Sequence, residues 1–189
     1  MDNFVNSNTT TVDLIFPSEG LKQNAVLIAF GALIVALCAQ IEIPLHPVPI
    51  TGQTFGVLFI AALLGAKRGA TSIMAYLTAG TAGLPVFAGG SAGIQVFAGP
   101  TAGYLIGFVF AAYLVGWLSE LNWDHTFLLA VASMTLGTLV IFGFGAIGLV
   151  RFTGPEQVFQ LGVLPFLPGA IIKIGLAATL LPQGRRLFS

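Results

Sequence analysis

The sequence predicts an all-α membrane protein with six transmembrane helices, and three observations point to it. Of 189 residues, 56% are apolar and only 7% are charged, whereas a soluble domain covers its surface with about 25% charged residues. The few charges punctuate long uncharged runs, and about 20 apolar residues suffice to cross a hydrocarbon core of about 30 Å. The 24 glycines would weaken helices in water, but in a bilayer they let helix backbones approach closely. Composition also excludes classes. Seven basic and seven acidic side chains cancel, so no basic field exists to hold nucleic acid. The single cysteine, Cys38, permits no intrachain disulfide.

Residues 1–20 carry Asp2, Asp13 and Glu19. They lack the basic start and apolar stretch of a signal peptide, and read as a flexible cytoplasmic tail ahead of a membrane domain at 21–189. The first span is 24–41, closed by Glu42 and by Pro44, Pro47 and Pro49. The second, 55–66, is short or tilted and ends at Lys67 and Arg68. The uncharged stretch 69–119 is too long for one helix. Its centre, 83–103, holds Pro85, Pro100 and many glycines, a composition that breaks helices. It divides into spans near 70–83 and 102–119, joined by a structured loop. Spans at 125–150 and 165–182 complete the six, the last interrupted by Lys173.

An even number of spans puts both termini on one side, with Lys22, Lys67, Arg68, Arg185 and Arg186, against Arg151 on the other. The positive-inside rule makes the termini cytoplasmic in the plasma membrane, and the loops 42–54, 84–101 and 151–164 external.

Several motifs match by letter but not by context. Gly89-Gly90-Ser91-Ala92-Gly93 fits the hydrolase pattern, which works only on a strained strand-to-helix turn with a histidine and an acid in reach. Gly143-Phe144-Gly145-Ala146-Ile147-Gly148 fits the dinucleotide fingerprint but lies inside an apolar span, without the preceding strand. No Walker A motif occurs, and His46 and His125 stand apart at span ends, so neither a P-loop ATPase nor a metal site is expected. The expectation is a protein that is not an enzyme and holds no cofactor or metal.

Three features point to binding. Lys173 stands about eight positions, or about 12 Å, into the last span, where a lysine costs about 2.5–3.5 kcal/mol on insertion scales. No acidic residue lies in any span to neutralise it, so it is expected to face a cavity and meet an anionic or strongly hydrogen-bonding ligand. The loop at 83–103 must be buried in protein or line a wet cavity. Its glycines, Gly90 and Gly99 among them, expose backbone polar groups, while Phe87, Phe97 and Tyr104 offer apolar walls. On the first span, Ala25, Ala29, Ala32 and Ala36 recur on one face, a strip that suits close helix packing within the chain or against a partner.

The stretches IPLHPVPITGQT (43–54), GLPVFAGG (83–90), GPTAGYLIGF (99–108) and LPGAIIK (167–173) resemble BioY, the biotin-specific S-component family of energy-coupling-factor (ECF) transporters. The resemblance runs from about residue 22 to 183. It implies an S-component-like six-helix bundle with a structured extracellular loop between the third and fourth helices, binding biotin near its outer face. It implies as partners a transmembrane coupling subunit and a pair of cytoplasmic ATPases, which alone use ATP. The family's small-residue contact with the coupling subunit maps onto Ala25/Ala29 or Ala32/Ala36, and its last-helix lysine onto Lys173. Ser91 and Gln53 are expected to add hydrogen bonds, and Phe87 and Tyr104 to pack the thiophane ring. Two positions depart from the family pattern: Ala170 stands where an aspartate is usual, and Ala102 where a glycine is usual. A self-sufficient secondary transporter, or an S-component for another vitamin-like ligand, is the alternative.

Overall fold

A computed structural model of the chain describes residues 10–15 and 20–188. Helices dominate it: α1 (Thr11–Ile15), α2 (Leu21–Ala39), α3 (Gln53–Leu64), α4 (Ala66–Thr81), α5 (Ala102–Glu120), α6 (Phe127–Thr153), α7 (Val158–Gly162) and α8 (Leu167–Phe188). Between α2 and α3 a small antiparallel ribbon pairs β1 (Glu42–Ile43) with β2 (Ile50–Thr51), with Glu42 opposite Thr51. The prolines between the two strands end the helical run and turn the chain back.

Among the described residues, four segments are long and apolar enough to cross a membrane: Leu21–Ala39, Ala102–Glu120, Phe127–Thr153 and Val158–Arg186. The second and third expected spans are shorter. At about 1.5 Å per residue, α3 reaches about 18 Å and α4 about 24 Å. Eight of the twelve α3 residues are buried, so this helix meets protein rather than lipid over most of its surface.

Gly65, at φ 83, breaks the chain between α3 and α4, a left-handed turn that side chains with a Cβ resist. The Ala66 N–H that starts α4 donates to Glu120 Oε1 at 2.8 Å, tying this turn to the end of α5. Helices α5 and α6 share the most extensive contact in the fold. Their backbones come so close at Gly103 that a Cβ there would lie 2.3 Å from the Phe144 carbonyl oxygen. The core runs through Val57, Ile73, Tyr76, Val115, Met134 and Ile141, held by dense apolar packing.

The segment 83–103 is folded, as expected, through 3₁₀ turns at Ala88–Gly90 and Ile94–Ala98. The Gln40 side chain at the end of α2 donates to the Phe87 carbonyl at 3.2 Å, and the Gly93 N–H donates to the Gly80 carbonyl at 2.8 Å. These bonds pin the segment against α2 and α4.

The start of the chain departs from expectation. Residues 1–9 and 16–19 lie outside the described residues, but Thr10–Asp13, expected in a flexible tail, is packed. Thr10 and Thr11 are buried, Asp13 pairs with Arg68, and Thr11 Oγ1 donates to Asp124. The acidic residue that made this segment look solvated is the one that fastens it.

Candidate functional site

A cavity of about 350 Å³ opens among the β1–β2 ribbon, the first turns of α3, the 83–103 segment, α5, α6 and α8. Its volume falls in the range of small-ligand sites, at about 300–1,000 Å³. Helices α3, α5 and α8 contribute their first turns, and α6 contributes Met134, Thr138 and Phe142 from its middle.

Lys173 lines this cavity. Its ammonium donates to the Thr51 backbone carbonyl at 2.5 Å and to Thr54 Oγ1 at 2.9 Å. Both acceptors are neutral. The ion pairs of the described residues are Arg68–Asp13 and Arg185–Asp124, and Lys173 is in neither. An ammonium has three N–H donors, so these two bonds leave one for a ligand.

Gln53, Phe87, Ser91, Gly99 and Tyr104 also line the cavity. Their neighbours set what each can offer. Gln53 Nε2 donates to the Tyr76 hydroxyl at 2.7 Å, and its Oε1 accepts from Thr51 Oγ1 at 2.8 Å. The amide is thereby held in one orientation with one N–H to spare. The Tyr104 hydroxyl donates to the Gly162 carbonyl at 2.7 Å, which leaves the ring as an apolar wall beside Phe166, with centroids 5.9 Å apart. Phe87 is fixed edge-on to Tyr76 at 5.5 Å. Ser91 Oγ donates to the Ala88 carbonyl at 2.7 Å and keeps its lone pairs open. No histidine lines the cavity among the described residues.

Gly90 does not line the cavity. It sits at φ 71 and its N–H donates to the Phe87 carbonyl at 3.1 Å, so it serves the turn. The alanine strip of α2 divides: Ala32 and Ala36 pack against the core, while Ala25 and Ala29 are exposed. Helical periodicity puts the four on one face, but the bundle covers only half of it.

Several lining residues went unrecognised in the sequence. Thr51 and Thr54 hold Lys173 across 122 and 119 residues of chain, a separation with no local signature. Glu42, read as a span end, also lines the cavity. Phe108, Met134 and Thr138 complete its floor from inside apolar spans, where nothing in the sequence distinguishes a cavity wall from ordinary core.

The opposite end of the bundle carries a second polar cluster. Arg185 Nη1 lies 2.9 Å from both carboxylate oxygens of Asp124, and Nη2 donates to Asn122 Oδ1 at 2.9 Å. Burial raises the Asp13 pKa, but hydrogen bonds from Arg68 and Thr10 outweigh it and hold the carboxyl below its ordinary value. Burial and then the Arg185 charge push His125 below its ordinary value, against a smaller pull from Asp124.

Comparison with known proteins bears on the whole chain. The BioY family model matches residues 8–189. The chain is similar to the biotin transporter BioY of Rhizobium etli, 39% identical over 162 residues, covering 80% of this chain and 86% of the relative. It is similar to biotin transporter BioY of Thermotoga maritima, 38% identical over 150 residues, covering 79% of this chain and 87% of the relative. Its fold is similar to the crystal structure of the S-component for biotin from an ECF-type ABC transporter. The TM-score is 0.74 and the identity 29%, over 90% of this chain and 94% of that one. With the helical bundle, the cavity and a family match across nearly its whole length, this chain belongs to the BioY family.

Proposed function

We propose that this protein takes up biotin as the substrate-binding S-component of an ECF-type transporter. The observation that carries this reading is the cavity wall at Lys173. An ammonium satisfied only by neutral oxygens stands among apolar walls of Phe87, Tyr104 and Phe166. Biotin has the matching chemistry: a carboxylate and a urea carbonyl as acceptors, urea N–H groups as donors, and an apolar thiophane ring with its chain. Lys173 binds one of the acceptors, Ser91 and Gln53 add hydrogen bonds, Gly99 shapes the wall, and Phe87 and Tyr104 pack the ring.

Helices α2, α3, α4, α5, α6 and α8 cross the plasma membrane as six spans, with the 83–103 segment external and both termini cytoplasmic. Support comes from the clustering of the Lys67–Arg68 turn, Asp124 and Arg185 at one end, through Ala66–Glu120 and Arg185–Asp124, together with the excess of basic residues there. The exposed Ala25 and Ala29 of α2 are the face for the transmembrane coupling subunit, since small side chains let another helix approach closely. The chain uses no cofactor of its own, and ATP is hydrolysed by the partner ATPases.

Equilibrium binding of biotin to the detergent-purified protein tests the reading, with desthiobiotin and thiamine as comparisons. Saturable binding of biotin and no binding of thiamine are expected. Absence of biotin binding, or equal binding of thiamine, would overturn it.

A further inference from the structure

Glu42 is the one acidic residue among the described residues that lines the ligand cavity. It stands on β1 directly across from Thr51, the residue whose carbonyl accepts from Lys173. The Gly52 N–H to Ile41 carbonyl bond, at 2.8 Å, closes the ribbon next to this pair. The Glu42 and Thr51 side chains therefore project from the same face of the ribbon, as opposite residues do. The carboxylate reaches the 83–103 segment at its first 3₁₀ turn, where a Cβ built on Gly89 would lie only 2.9 Å from Oε1.

Glu42 is half-buried, and among the described residues no hydrogen bond or ion pair engages its carboxylate. An ionised carboxylate only accepts hydrogen bonds, and the cavity around it is mostly apolar. The nearby cation of the cavity, Lys173, is bound to Thr51 and Thr54 and makes no pair with it. Two opposite charges thus stand apart on the walls of one small cavity, and that separation distinguishes the two ends of a ligand. A ligand carboxylate is repelled at Glu42 and attracted at Lys173. A pair of N–H donors is attracted at Glu42, where charge-assisted bonds are about twice as strong as neutral ones.

Building on the biotin reading above, we propose that Glu42 is a specificity-determining residue that accepts the N–H donors of the ligand's cyclic urea, with the ligand's carboxylate end turned toward Lys173. The ribbon register delivers the acid to the cavity, and Gly89 leaves it room. The site then selects for a donor-bearing ring as well as for an anionic tail.

The test is equilibrium binding of biotin and of iminobiotin to the full chain and to Glu42→Gln and Glu42→Ala. Iminobiotin carries a guanidinium at neutral pH in place of the urea, so a carboxylate contact favours it and an amide does not. Loss of a charge-assisted bond weakens biotin binding about 10-fold or more, and the iminobiotin-to-biotin affinity ratio falls by about as much again. That ratio is internal to each protein, so a lower folded fraction of a variant does not alter it. Unchanged biotin affinity and an unchanged ratio in both variants would overturn the proposal. Tighter biotin binding by Glu42→Gln would overturn it too, by placing the ligand carboxylate at Glu42. If the unsubstituted protein fails to bind biotin, the uptake reading itself falls, and this assignment with it.

Discussion

At one end of the bundle Arg185 and Asp124, only 4% and 2% exposed, meet at 2.9 Å, with Thr11 and Asn122 completing the network. At the other end Lys173 stands in an apolar cavity with the Thr51 carbonyl and the Thr54 hydroxyl as its partners, and Glu42 lines the same cavity unpaired. Burying charge is costly everywhere, by several kcal/mol per ion after relaxation. The first end offsets that cost within the chain, and so joins α1, the α5–α6 turn and α8 into one block. The second end leaves its charges to be satisfied from outside. The contrast separates charges that hold the fold from charges whose partners the fold does not fully supply.

The strongest way to break this comparison is to remove one charge from each end. Asp124→Ala takes the carboxylate from a buried guanidinium, and an expected loss of about 3–5 kcal/mol follows, read as a lowered unfolding temperature in detergent. Biotin affinity of the protein that remains folded should change little. Lys173→Ala should do the reverse. Loss of a charge-assisted hydrogen bond weakens biotin binding about 10- to 100-fold, while thermal stability holds or rises, because the uncompensated charge is gone. A Lys173→Ala protein that binds biotin as tightly as the parent would refute the role given to the lysine.

A smaller effect sharpens the description of the charged end. His125 titrates below its ordinary 6.5 in the folded protein, so the unfolded chain takes up that proton first as pH falls. The stabilisation is complete above about 6.5 and is lost as pH drops below it, toward the folded value. Asp13 is depressed from 3.8, so its contribution is full above that value and disappears as pH falls further, through the folded value. Unfolding temperature against pH should therefore decline in two stages, and His125→Gln should remove the first.

The smallest stability effect is expected on α2. Ala29→Leu, on an exposed position, should move stability by no more than about 0.5 kcal/mol and leave biotin binding intact. Copurification with the coupling subunit should drop. The same change at Ala36, which packs against the core, overfills it at a cost of about 1–3 kcal/mol. Equal effects at the two positions would show that the strip is not divided.

Much of this molecule is written in local chemistry. Scarcity of charge and long apolar runs report a bilayer protein whatever the helices touch. A lysine in an apolar run, with no acid in any span, calls for polar partners before its neighbours are known. Proline and glycine density at 83–103 reports a folded non-helical segment, because those residues act on their own backbone. Gln53, Phe87, Ser91, Gly99 and Tyr104 stand in or beside motif stretches and lie on the cavity wall. Gly90 was misjudged because a glycine needed for a turn and one needed beside a ligand look alike.

The sequence by itself determined that the chain enters a membrane, where its helices run, and that Lys173 needs a partner, since each follows from transfer free energies and backbone sterics of neighbouring residues. Only the tertiary structure decided which partners meet. It set Thr51 and Thr54 under Lys173, swung Glu42 from a span end into the cavity, packed Thr10–Asp13 against the bundle, and covered Ala32 and Ala36 while leaving Ala25 and Ala29 open. Those pairings join residues as far as 122 positions apart. They are selected by the packing of whole helices, which no local window of sequence contains.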